Sequence, residues 1–549
     1  MTKTQKKVDI WKLISIGVLI LYALFLLFPL FQLLKNSCWI NGQFDFSNFV
    51  AFFQKKYYLS TIVNSFAVSI TATLVTLVLG IPLAYFYQMY EIKGKSVLQV
   101  LIILCSMSAP FIGAYSWILL LGRSGLITNF LYNLTGFQMP SIYGFKGILL
   151  VQSLQLFPLV FLYVSGALKN IDNSLLEASE NMGCTGLKRF FKVVIPLCMP
   201  TILAATLLVF MRAFADFGTP LLIGEGYRTF PVVIYDSYFA ETGSNHNFGA
   251  AISVIAIVLT AVIFFIQKYA NSKFQFTMNA LHPIERKPVH GIKSFLVHLY
   301  CWGIVLISFS PQIYVIYTSF QNTSGKIFVD GYSLMSYRAA FDTMGNAITN
   351  TFVIGGAALL LVILLAVLIS YLVVRRNNFL NKIIDTVSMI PYIIPGSVVG
   401  IALVLAFNKK PLILTGTALI MIISLIIRRI PYTIRSSVAI LQQIPMSIEE
   451  ASISLGASKM KTFFKITVPM MANGILSGAI LSWITIITEL STAIILYNQR
   501  TITLTLAIYV NVSRGSYGIA AALATILTVT TIISLLLFMR VSKSKEITF

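Results

Sequence analysis

Charge is what this sequence has least of. Asp, Glu, Lys and Arg make up 11% of its 549 residues, hydrophobic residues make up 57%, and the mean hydropathy is +0.85. Soluble globular chains carry about a quarter charged residues, so a soluble enzyme, a disordered chain and a fibrous repeat are excluded. Acid is the scarcer sign, 18 residues against 40 basic ones, for a formal charge of +22. In a soluble protein that surplus would suggest nucleic acid as a partner. Here membrane topology accounts for it, and no nucleic acid is expected. Cysteine is sparse too: five residues, an odd number, with no CxxC and no zinc-type spacing. The histidines, His246, His282, His290 and His298, stand at no ligand spacing with one another or with a carboxylate. No metal centre and no bound cofactor are therefore expected in this chain. No group of nucleophile and base is present either, so no catalytic residue is assigned. A phosphate-binding loop needs G-x-x-x-x-G-K-[ST], because backbone amides must cradle the phosphates. The nearest approach, Gly94-Lys95-Ser96, has Met89 where the first glycine belongs.

What is abundant is long apolar runs. A membrane span needs about 20 mostly apolar residues to cross about 30 Å of hydrocarbon, and about twelve such runs are present. They lie near 12–34, 60–84, 97–121, 147–168, 197–217 and 247–267, then near 294–318, 350–374, 385–407, 411–427, 470–493 and 517–539. Lipid offers no partner to backbone polar groups, so the spans must be helical and the fold class is all-α integral membrane. The run after Lys12 is too long for a signal-peptide core and no small-residue cleavage site follows it, so it reads as a retained first span. Lys and Arg in the loops set the orientation. With a cytoplasmic N-terminus, about 27 of them fall inside, about 12 outside and one, Arg212, within a span. Arg428, Arg429 and Arg435 are among those assigned to the inside. Both termini are thus expected in the cytoplasm, in a multi-pass protein surrounded by membrane lipid.

The chain is duplicated. A hydrophilic stretch from Lys268 to Lys293, with Pro283 and Pro288, separates two six-span halves, 1–280 and 281–549. Each half starts and finishes inside, so the repeats are parallel, with the path between them. A shift of 273 lays Pro158–Ile223 on Pro431–Leu496 without a gap. A second echo sets Ile62, Asn64 and Phe66 against Ile348, Asn350 and Phe352 at a shift of 286.

The best-matched block is not a span but the inside loop after the fourth span of each half. It reads EASENMGCTGLKRFFKVVIP at 177–196 and EASISLGASKMKTFFKITVP at 450–469. Ser174 with Glu177, and Ser447 with Glu450, have capping-box spacing at the start of a short helix. Gly183 and Gly456 stand where a left-handed C-terminal cap belongs. Ala178, Ser179, Ala451 and Ser452 keep one face slim, which suits insertion into another protein's groove. Lys188, Arg189, Phe190 and Phe191, like Lys461, Phe463 and Phe464, suit a second helix at the interface. Pro196 and Pro469 then open the next span.

Glu-Ala-small, then Gly, then a hydrophobic-Pro about thirteen residues later, resembles the EAA loop of binding-protein-dependent ABC importer permeases. The resemblance covers essentially the whole chain as two fused permease domains with coupling loops 170–196 and 443–469. It implies the type I importer permease fold. It also implies two copies of a separate ABC ATPase that bind ATP and Mg, and a solute-binding protein outside. On that resemblance Glu177, Ala178, Ser179 and Gly183, with Glu450, Ala451, Ser452 and Gly456, carry the ATPase contact. Ser179 and Ser452 stand where the family has its second alanine.

Two further stretches, FADFGTPLLIGEGYRTFPVVIY at 214–235 and TELSTAIILYNQRTITLTLAIY at 488–509, resemble the iron(III)-type permeases of that family. The implied cargo is ferric iron. Aminoethylphosphonate permeases share much of the pattern and are the alternative, ahead of polyamine or thiamine types. Asp216 and Glu489 are equivalent at the shift of 273, and a charge within a span usually faces the bundle interior or a water-filled path. Both are candidates for lining the translocation path. Local pairing with Arg212, four residues earlier, is the other reading of Asp216. Glu489 has Thr485 at that place, which leaves it without such a partner. Gln152, Gln155, Asn64 and Asn350 are more simply explained by interhelical hydrogen bonding. Pro391 and Pro395 should kink the ninth span and Pro110 the third. A secondary transporter would also have parallel six-span halves. It would need an intramembrane ion site, and it has no use for duplicated helices below the membrane.

Overall fold

The computed structural model describes residues 10–40, 42–107, 110–239, 246–273, 282, 284, 286–324, 327–376 and 378–541. The boundary between the halves at 280 and 281, and Pro283, lie outside the described residues. Among them, nine helices are long and apolar enough to cross a membrane, and eleven if each of two bent pairs is one span. Ala418–Gln443, a 26-residue helix carrying Arg428, Arg429 and Arg435, is too charged to count among them and occupies the remaining apolar run.

That helix corrects the tenth span, expected at 411–427. The Thr417 side chain accepts from the Ile420 amide and starts the helix there, since a hydroxyl at this place satisfies a free terminal donor. The helix then continues through both arginines. They are therefore not cytoplasmic loop residues, as their charge suggested, but stand near mid-span. The shift of 273 carries the fourth span, Phe145–Lys169, onto this helix almost end to end.

The ninth span is broken as its prolines require. Phe379–Ile393 and Gly396–Phe407 meet at 111°, with Pro395 as the cap of the second piece. The third span divides likewise into Lys95–Met107 and Pro110–Leu121. At a shift of 286, Pro110–Leu121 falls on Gly396–Phe407. The two shifts differ because the first half has a longer loop after this piece, and the helix Leu126–Thr135 fills it.

The first span of each half packs on the other half. Ile10–Cys38 lies against the broken ninth span, where Ser15 donates to Asn381 Oδ1 at 2.8 Å. Its Trp11 ring sits 4.6 Å from Tyr371 and 5.3 Å from Phe463. In return Gly291–Thr318 lies against the second and third spans, where the Tyr300 hydroxyl bonds the Val78 and Leu79 carbonyls at 3.1 Å. The small antiparallel hairpin Gln321–Ser324 with Ile327–Tyr332 follows that span, with Thr323 opposite Phe328. One continuous apolar core joins the N-terminal span to both halves.

Candidate functional site

The loop helices are Asn173–Asn181 and Met446–Ser454, related residue for residue by the shift of 273. Their N-termini are not capping boxes. Asp172 caps the first by accepting from the Ser174 amide, and Pro445 precedes the second with no side-chain cap. Ser174 and Ser447 are already inside the helix, and Glu177 accepts instead from Asn173 Nδ2 at 2.7 Å.

The C-termini match the expectation. Gly183 and Gly456 adopt φ of +73° and +89°, a conformation that costs a side-chain-bearing residue about 1–2 kcal/mol. Each closes a double turn. Gly183 and Cys184 donate to Glu180 and Ser179, and Gly456 and Ala457 donate to Ile453 and Ser452, so the last carbonyls are satisfied. The residues just before these glycines, Met182 and Leu455, are 85% and 90% exposed. Two large apolar side chains thus project from equivalent tips. Sequence reasoning missed them, although the shift of 273 pairs them.

Glu177, Ala178, Glu450 and Ala451 are exposed, while Ser179 and Ser452 are buried toward the bundle. Ser179 donates to the Leu176 carbonyl at 2.7 Å, and Ser452 shares a 3.0 Å bond with Thr462. The serines therefore seat the helices, and the Glu-Ala pairs face outward. A hollow of about 370 Å³ beside the second helix is lined by Ala451, Ser452, Leu455, Gly456 and Lys461 among others.

The two helices are fastened differently. Glu449, at the place of buried Leu176, is itself buried and pairs with Arg375 at 2.8 Å. Arg375 also reaches the Ile444 carbonyl at 2.7 Å. The first helix is held by the connecting segment. Lys287 and Arg189 each lie 3.0 Å from Glu180, and together they hold its carboxyl below the usual range. The Asn173 amide donates to the His282 carbonyl at 3.0 Å.

No separate interfacial helix follows the first loop helix. Gly186–Phe214 is one 29-residue span, with a wider π turn at Phe190–Val194. The second half repeats that turn at Phe463–Thr467, before a 68° bend between Lys459–Met470 and Ala472–Ile487. Pro196 and Pro469 sit just beyond the turns. Proline has no amide to give, and a widened turn accommodates the missing bond.

At the far ends of these spans, Asp216 and Glu489 accept from the amides of Thr219 at 3.4 Å and Thr492 at 3.0 Å. Each also ties to the fourth span of its half. Asp216 Oδ2 accepts from Gln152 at 3.0 Å, and no ion pair with Arg212 forms among the described residues. Glu489 is the larger correction. It lies between Arg428, at 2.8 Å, and Arg429, and its side chain is 3% exposed. It therefore has two partners and does not face open space. Asn64 and Asn350 bond the Arg228 and Arg500 carbonyls at 3.0 and 2.8 Å, so each ties its span to a loop and not, as expected, to another helix. Among the described residues no three His, Cys, Asp or Glu side chains gather where a metal ion could be held.

The bundle is duplicated and built of membrane-length helices, and its two most alike segments are exposed at one end. The family model for the binding-protein-dependent transport system inner membrane component matches residues 76–275 and again 362–545. The chain belongs to that family and is a multi-pass membrane protein. The ferric transport system permease protein FbpB of Actinobacillus pleuropneumoniae is 29% identical over 95% of this chain and 77% of its own length. A ferric transport permease of Haemophilus influenzae is 27% identical over 88% and 77%. A solved bacterial alginate ABC transporter, 16% identical, covers 48% of this chain and 96% of its own, with a TM-score of 0.39.

Proposed function

We propose that this chain is the transmembrane permease subunit of an ATP-driven importer for ferric iron, delivered by an extracytoplasmic binding protein. The exposed loop helices dock two copies of a separate ATPase, which hold ATP and Mg, and both termini lie on the same, cytoplasmic side. The halves divide near 280. Glu177, Ala178, Gly183, Glu450, Ala451 and Gly456 form the docking face. Ser179 and Ser452 support it from behind. Asp216 and Glu489 position the helices around the path.

The observation that carries this reading is the pair of loop helices ending in Met182 and Leu455, matched by the duplication and left uncovered by the described residues. Exposed apolar groups at symmetric places suit a partner present in two copies. Iron as cargo is supported by the two ferric transport relatives, each similar over most of this chain.

The test is uptake of radioactive ferric iron by iron-starved cells lacking this chain, compared with the parent strain. Uptake should fall and return with the intact gene. Unchanged uptake, with redundant importers removed, would reject iron as cargo, and labelled 2-aminoethylphosphonate would be tried next.

A further inference from the structure

The interior of the bundle holds more positive than negative charge. Arg428 donates at 2.8 Å to Glu489, to Ser491 Oγ and to Thr492 Oγ1. Arg429 reaches the other carboxylate oxygen of Glu489, while its own Nε is buried with no partner among the described residues. Arg212, from the fifth span of the first half, has no ion pair among the described residues. Its electrostatic neighbours are Tyr163 of its own half, Tyr392 and Tyr432 of the other half, and Arg429. The Tyr392 and Tyr432 rings are 5.7 Å apart. Arg212 is nevertheless exposed, and so are Tyr163 and Tyr392. Exposed side chains of both halves thus surround Arg212, with three guanidiniums against the single carboxylate of Glu489.

The duplication did not produce this cluster. At the shift of 273, Arg428, Arg429 and Tyr432 fall on Gln155, Leu156 and Leu159, and Arg212 falls on Thr485. Each half supplies cations where the other is neutral. Surplus charge inside a membrane bundle is costly and is kept where something of opposite sign must pass or bind.

We propose that Arg212 and Arg429, with the Tyr392 and Tyr432 phenols, form an oxyanion-binding site on the path between the halves. The cargo then crosses as a species that presents a phosphate, phosphonate or carboxylate oxygen edge. Planar guanidiniums match that edge with two parallel hydrogen bonds, and phenols add single donors. A bare ferric ion would be repelled here, whereas ferric iron wrapped in oxyanion ligands, or an organic phosphonate, would be drawn in. This inference rests on the importer reading for the direction of travel, but the site itself can be tested apart from the cargo.

The full-length chain in nanodiscs of zwitterionic lipid would be titrated with orthophosphate and with 2-aminoethylphosphonate by equilibrium dialysis. Saturable binding that weakens at least tenfold in Arg212→Gln and in Arg429→Lys, but not in the exposed Arg435→Gln, is expected. Absence of saturable binding to the wild-type chain, or equal binding by all four proteins, overturns the site. In cells, Arg212→Glu should abolish uptake while Arg212→Lys retains part of it, at equal membrane abundance. Wild-type uptake by the Glu variant also overturns it. If ferric uptake proves independent of this chain while dialysis shows the binding, the iron assignment fails and the oxyanion site stands. If uptake depends on the chain and dialysis shows nothing, the reverse holds.

Discussion

Glu449 and Arg375 are joined at 2.8 Å with side chains only 5% and 7% exposed, and this pair, with the Tyr371 hydroxyl donating to Glu449 at 3.3 Å, ties the second loop helix to the long span Met335–Arg375. The first half does the same work with Leu176, buried to 4% exposure. An apolar pair should therefore replace the ionic one. Glu449→Leu alone leaves a buried guanidinium uncompensated and should destabilise the detergent-solubilised chain by about 3–5 kcal/mol. Glu449→Leu with Arg375→Met should recover most of the lost Tm. A double variant no better than the single one would count against the interchange.

The turn that ends each loop helix depends on backbone conformation and not on space. A Cβ built on Gly183 or Gly456 meets nothing within 4 Å, yet both have positive φ. Gly456→Val should abolish transport with normal membrane abundance. Gly456→Asn, which tolerates this conformation better, should retain part of it.

Met182 and Leu455 contribute little to the chain's own stability, because they touch little of it. Met182→Asp and Leu455→Asp should leave the stability of the isolated permease unchanged within about 0.5 kcal/mol. They should weaken co-purification of the ATPase and lower uptake, the double variant most. Intact co-purification in the double variant would remove these tips from the docking face.

At the break in the ninth span, a Cβ on Gly396 would collide with the Arg428 guanidinium and the Ser491 hydroxyl. Gly396→Ala should displace Arg428 from Glu489 and cut uptake severely. Gly356→Ala, where a Cβ meets nothing within 4 Å, serves as the control and should be silent.

The exposed Glu180 carboxylate, held low by Lys287 and Arg189, gives an acid-sensitive hold on the first loop helix. Its contribution is full above the ordinary carboxylate range and fades as pH falls through the lowered value. Proteolysis of the connecting segment in the wild-type chain should thus accelerate only under strong acid. Glu180→Gln should show the faster cleavage at neutral pH as well.

The sequence carried the span count, the duplication, the C-terminal turns at Gly183 and Gly456, and the break at Pro395, because each rests on composition, repetition or local backbone rules. It failed where distant partners decide the outcome. Arg428 and Arg429 look like loop residues until Glu489, about sixty positions on, is seen to neutralise part of their charge within a span. Glu489 looked solitary because its partners belong to another helix and not to its own preceding turn. On one reading Asp216 had Arg212 as a partner by spacing, but its carboxylate bonds Gln152 and the Arg212 side chain is exposed. The capping boxes failed by competition. Asp172 and Pro445 start the helices two residues earlier, and that leaves Ser174 and Ser447 inside.

The exchange of first spans has a consequence for how the protein is made. Ser15 meets Asn381 across 366 residues of chain, and Trp11 meets Phe463 later still. The helix Ile10–Cys38 is translated long before these neighbours exist. It must wait in lipid, or on an insertion factor, until the second half arrives. Joining the halves in one polypeptide shortens that wait to the time of a single translation and guarantees that each first span meets the correct opposite half.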